Sequence, residues 1–245
     1  MNWKKDLREK DDAVSPVIAL MLILAILATC MAVYTTTYVP GLKQQDEITH
    51  SGEVKLAFER FASDIDNLIA LGKPAVYTEV LELGGGDVPL SPTKSSGTIE
   101  INTTVIGNYT VDSETKYLNG IEISYTPSFT AWEKQGYLYK NGVVWITKDE
   151  KKTPAQLTLY TVSDGKDREK DVLQKWYPAS EDTVIIPQFI VDENKTEITG
   201  TSTSKLRLNA TLSDLVTGSV SITLSNGSPK TYSNIRWLNI EVSVE

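Results

Sequence analysis

One cysteine and one histidine stand in a chain of 245 residues. With a single thiol no intrachain disulfide can close, so an exported domain built from this sequence must hold by packing alone. Cys30 lies inside an apolar run and reads as a small apolar filler, with lipidation or an intermolecular bridge as the alternatives. The lone imidazole, His50, removes zinc sites built on several histidines, haem ligation and most hydrolase triads. It reads as a solvated residue on a helical shaft. Positive charge is scarce too, 24 Lys and Arg against 32 Asp and Glu, a formal charge of −8. That balance argues against a nucleic-acid binder that tracks phosphates and against docking on anionic headgroups.

Other chemistry fails on spacing. Gly84-Gly85-Gly86 lacks the Lys-Ser/Thr of a phosphate cradle and opens no helix, so it reads as a loop, as does the charged run 164–171. Glu79, Glu82, Asp87, Glu100, Glu122 and Asp182 are scattered, with no pair set apart for glycosidase work. Asp164, Asp167, Glu169 and Asp171, or Asp192, Glu193 and Asn194, offer oxygen ligands for calcium, but neither run has EF-hand spacing. Trp132, Tyr137, Tyr139 and Trp145 read as core filling and cross-strand pairs before they read as a sugar platform. No catalytic residue, cofactor or metal-ligating set emerges, and the chain reads as something other than an enzyme.

What the chain has is one long uncharged apolar run, residues 14–39, about 26 residues and enough to cross a bilayer as a helix. A helix apolar on every face must end in lipid or in the interior of an assembly. Ser15 is placed to cap it, and Pro16 sits in its first turn, where a missing N–H is harmless. The charged leader ahead of it carries Lys4, Lys5, Arg8 and Lys10, whereas the cations beyond the run are thinly spread, which puts the amino terminus in the cytoplasm and the rest outside. The run continues into Thr35, Thr36, Thr37 and Tyr38 without an Ala-x-Ala-like site, which favours a retained helix over a secretory signal.

The stretch Asp11-Asp12-Ala13-Val14-Ser15-Pro16-Val17-Ile18 resembles the amino-terminal signature of archaeal type IV pilins and pilin-like surface proteins, which carry a class III signal peptide. The resemblance implies a cut between Ala13 and Val14 by a prepilin peptidase. It covers about the first 40 to 60 residues. Ile18 stands where bacterial pilins usually carry a glutamate, and the signature differs from that of archaellins. The implied partners are membrane lipid before assembly, then other pilin subunits, with a pilus assembly ATPase and membrane platform supplying the work of extraction. The implied filament core takes in Val17, Leu20, Leu22, Leu24, Leu27 and Met31.

After Pro40-Gly41, the expected weak point, the pattern becomes amphipathic. Ile48, Val54, Ala57, Phe58, Phe61, Ala62, Ile65, Leu68 and Ile69 mark one face of a helix that should close at Gly72, with Pro74 beyond. A second weak point is expected at Gly52. From Ala75 onward short alternating runs predict strands at 76–83, 97–106, 120–126, 137–140, 143–147, 156–163, 183–191, 205–212, 219–225 and 235–244. Asn141-Gly142 marks a two-residue hairpin turn. The expected architecture is α+β: leader 1–13, hydrophobic transmembrane or filament-core helix 14–39, amphipathic shaft 40–74, and an antiparallel β-sandwich head 75–245 with the shaft packed on it.

Asn102, Asn108, Asn194, Asn209 and Asn226 each open an Asn-x-Ser/Thr acceptor. Export gives these sequons weight, and the resemblance implies that some are used. Three functions stay open: a filament subunit polymerising through its hydrophobic helix, a membrane-anchored adhesin or binding module that does not form the filament body, and a tethered secreted enzyme. The first fits best, because nothing converges on a catalytic group.

Overall fold

The computed structural model describes all residues except 1–2, 86–87, 90, 92, 150, 156–167, 179–183 and 226. A long amino-terminal helix opens it: α1 (Trp3–Val33), a wide π-helical turn at Tyr34–Tyr38, and α2 (Val39–Leu71). Ser15 and Pro16 therefore lie inside a helix that starts in the leader, and the expected helix start at Ser15 is corrected. A cut at Ala13–Val14 would return Pro16 to a first turn. The expected weak point at Pro40-Gly41 moves one turn earlier, and Gly52 passes without a break. Pro40 has no N–H for the carbonyl four residues back and its ring crowds that carbonyl. The chain answers by widening, with the Val39 N–H reaching Tyr34 O, a five-residue step.

α2 ends where expected. Gly72 takes the left-handed conformation (φ 57°) and its N–H donates to Leu68 O at 2.9 Å. A side chain there would also collide with Ile185. The expected buried stripe holds at Val54, Ala57, Phe58, Phe61, Ile65 and Leu68, with Ala62 and Ile69 half-buried. Ile48 points to solvent instead.

Eleven strands follow among the described residues: β1 (Ala75–Glu82), β2 (Ser96–Val111), β3 (Glu114–Ser128), β4 (Gly136–Lys140), β5 (Val143–Lys148), β6 (Lys151–Pro154), β7 (Val184–Val191), β8 (Glu197–Gly200), β9 (Thr203–Leu212), β10 (Val216–Leu224) and β11 (Lys230–Val244). They form one hydrogen-bonded sheet in the order β1-β9-β11-β10-β2-β3-β4-β5-β6, with β8 on β2 and β7 on β11. The expected antiparallel head is found with one exception, since β7 runs parallel to β11. The expected sandwich is a single sheet bent on itself: β10 links the half built on β11 to the half built on β2, and β7 lies against β2 and β3 without bonding to either. α2 fills the remaining side, touching β1, β4, β5, β7 and β9.

Aromatic side chains stitch helix to sheet. Phe58 meets Tyr137 and Phe61 meets Tyr139, with ring centroids 6.1 and 5.4 Å apart. Tyr137 and Tyr139 are buried as expected of core residues, while Trp132 and Trp145 are half-buried. The Asn141-Gly142 hairpin forms with φ of 45° and 86°, the two positive angles its turn demands. A second such turn, Asp112-Ser113, closes a much longer β2–β3 hairpin than the runs at 97–106 and 120–126 suggested. The expected strand at 156–163 lies outside the described residues. Of the charged run expected as loop, Arg168 onward forms α3 (Arg168–Trp176), which buries Val172 and Trp176 one turn apart beneath the Asn141-Gly142 turn.

Candidate functional site

The first candidate surface is the apolar rod. From Val17 to Tyr38 no residue is buried, and Val17, Leu20, Leu22, Leu24, Leu27 and Met31 are each 49–59 % exposed. The helix is long and apolar enough to cross a membrane. Three of its threonine hydroxyls are satisfied by the backbone: Thr29 donates to Ala25 O, Thr35 to Met31 O and Thr36 to Ala32 O, at 2.7 to 2.9 Å. At those three positions the rod needs no water. Cys30 is exposed on the same rod.

The second is a polar seam that the sequence did not disclose. The buried stripe of α2 begins well before Val54, at Val39, Lys43, Glu47, His50 and Ser51, in the same three-and-four rhythm. Glu47 is fully buried and takes four hydrogen bonds: from the Ser95 hydroxyl, from the Thr130 N–H (2.9 Å) and hydroxyl (3.1 Å), and from the Ala131 N–H (2.8 Å). Burial pushes its carboxyl up, but these donors outweigh it and hold the group below its ordinary value. Lys43, one turn away, donates to Thr93 Oγ1 and Thr130 Oγ1, both at 2.7 Å, so Thr130 links the two charges. Two head loops, around residues 93–95 and 129–131, are thus fastened to the helix just past its apolar segment.

His50 is buried, and the expectation of a solvated shaft residue is corrected. Its Nε2 lies 3.0 Å from the Tyr125 hydroxyl, which donates its own proton to Leu83 O at 3.1 Å. The Phe129 ring meets it edge-on, and the Gly85 backbone passes so near that a methyl group there would press on His50 and Asp46. Burial lowers the imidazole pKa against the opposing charges of Glu82, Glu53 and Asp46. Ser51 is spoken for by the Tyr137 hydroxyl at 2.9 Å, so it is not aligned with His50 as a nucleophile.

One carboxylate pair is brought together that spacing had not singled out. Asp64 on α2 and Glu79 on β1 share a hydrogen bond, and burial raises both. The negative charge of Asp64 raises Glu79 further, against the opposing pull of Arg60. A raised carboxylate contributes stability that is complete below its unfolded value, near 4.5, and lost as pH rises through the folded value. Glu79→Gln keeps a donor without needing the proton. It should raise the melting temperature at pH 7 by roughly 1–3 °C, with the gain vanishing below about pH 4; differential scanning calorimetry across pH checks this.

Among the sequons, Asn194 is exposed in the turn after β7, its backbone N–H donating to Asp192 Oδ1. Asn102 and Asn108 are exposed on β2, and the Asn102 amide already donates to Glu100. Asn209 is half-buried and donates to Glu241. Asn226 lies outside the described residues. Ala13 and Val14 fall inside the helix.

Compared with known proteins, the chain matches no family model, no curated protein and no solved structure.

Proposed function

We propose that this chain is a structural subunit of an archaeal type IV pilus-like surface filament. In this reading the rod waits in the membrane with the amino terminus in the cytoplasm, loses its leader between Ala13 and Val14, and is then packed against the rods of other subunits. One observation carries the reading: a helix with no buried residue from Val17 to Tyr38 leads through the π-helical turn at Tyr34–Tyr38 into a stripe sealed by the head. A soluble monomer does not keep such a length of aliphatic surface in water. Exchanging acyl chains for neighbouring helices changes the solvent little, so association rests on close packing. The Leu-, Ile- and Ala-rich rod suits that exchange.

Amino-terminal sequencing and mass measurement of surface fibres sheared from cells should find this polypeptide beginning at Val14. Recovery only from membranes, as a monomer, would favour the anchored binding module. Recovery of a head without the rod, free in the medium, would overturn both.

A further inference from the structure

His50 carries a second nitrogen whose state can be deduced. The Tyr125 hydroxyl has one proton and gives it to the Leu83 carbonyl, which has none to offer. With that proton on Leu83 O, the same oxygen accepts toward His50 and the proton of the neutral ring sits on Nε2. Nδ1 is left with a lone pair, buried and without a hydrogen-bond partner. Its side chain is 97 % removed from solvent, being only 3 % exposed. An orphaned acceptor in such a place is costly.

The groups around it cannot satisfy it. A His50 ring nitrogen and carboxylate oxygens of Glu53 and Glu82 lie within 4.8 Å of one another, and Asp46 adds negative charge one turn earlier on α2. Ionised carboxylates are acceptors only. What completes a lone pair and two carboxylates together is a cation. The spacing supports this, for His50 and Glu53 stand three apart on one helix face and Glu82 reaches them from the end of β1. The outer contact does as well: a ligating histidine ordinarily donates its other N–H to a fixed acceptor, and the Tyr125 hydroxyl oxygen stands 3.0 Å from Nε2 to take it.

We propose that His50 Nδ1, Glu53 and Glu82 bind a divalent transition-metal ion, of which zinc is the best match, at the junction of α2 with β1. One imidazole and two carboxylates make a borderline donor set that suits zinc or cobalt better than calcium or magnesium. Bonds of about 2.0–2.1 Å at tetrahedral angles need donors about 3.3 Å apart. Glu53 and Glu82 are exposed and free to swing that far around the fixed histidine. Three protein donors leave a position for water, so the ion sits in an open, exchangeable site. The inference is independent of the filament reading.

The test uses the full chain in detergent, stripped with a chelator and titrated with zinc by calorimetry, then with cobalt by visible absorption. The expected result is one ion per chain, cobalt bands of a nitrogen-and-oxygen site, and zinc affinity reduced at least about tenfold in Glu53→Gln and in Glu82→Gln. Both variants change exposed side chains, and circular dichroism checks that each is folded. Zinc binding that survives both substitutions, no binding at all, or calcium bound as tightly as zinc would each overturn the assignment.

Discussion

Leu24→Asp should remove the chain from membranes and from surface fibres while leaving its head folded. Leu24 lies mid-rod and is 56 % exposed, touching no part of the core. An ionised side chain at the bilayer centre costs about 2.5–3.5 kcal/mol on insertion scales. At 1.4 kcal/mol per factor of ten, that lowers the insertion equilibrium constant about a hundredfold. In a bundle of rods the same charge would be buried without a partner, at a comparable or greater cost. Cell fractionation with immunoblotting reads the first effect and electron microscopy of sheared material the second. Val80→Asp is the control. Val80 is as exposed as Leu24, at 55 %, but sits on the edge strand β1, and a change there should alter neither readout. Wild-type amounts of Leu24→Asp chain in fibres would mean that the rod is not the surface through which subunits meet.

The parts of this fold that were legible in the sequence are those whose signal repeats locally. Val54, Phe58, Phe61, Ile65 and Leu68 recur at helical spacing, and Gly72 with Pro74 ends the pattern where the chain ends the helix. Asn141-Gly142 specifies its turn by two residues alone. Asp112-Ser113 adopts the same positive angles without a glycine to advertise them, so a long hairpin read as two short strands. α3 hides in a charged run because only Val172, Leu173 and Trp176 face inward. The parallel partner of β7 depends on contacts some fifty residues away in sequence, which no local pattern encodes. The polar seam was missed for a different reason. Lys43, Glu47, His50 and Ser51 occupy positions in phase with the apolar stripe, but polar side chains in phase with a stripe ordinarily signal its end. Extending the phase backward from Val54 to Val39 is the signal that could have found them.

Glu47→Ala is expected to cost on the order of 3–5 kcal/mol. The carboxylate ties Ser95, Thr130 and Ala131 to the helix, and its loss strands two backbone N–H groups and a buried hydroxyl at once. It also leaves the Lys43 ammonium, held by Thr130, without its negative companion. For a domain of this size the melting temperature should fall by roughly 10 °C. Glu47→Gln should fall between wild type and alanine, because its amide keeps one acceptor but turns two donors toward groups that also donate. The pH dependence supplies a second readout. A carboxyl held below its ordinary 4.5 contributes stability that is present above that value and lost as pH falls through the folded one, so the wild type should weaken in acid by an increment that Glu47→Ala lacks. Hydrogen exchange locates the damage: the Thr130 and Ala131 amides should lose protection, while residues around Phe61, sealed by aromatic contacts further along α2, should keep theirs. If exchange instead rises uniformly, Glu47 supports the whole core and the seam is no separate fastening. If it rises only at the loops, the joint between rod and head is an independently breakable unit placed about two turns beyond the apolar segment, where a pull on the rod would first be felt.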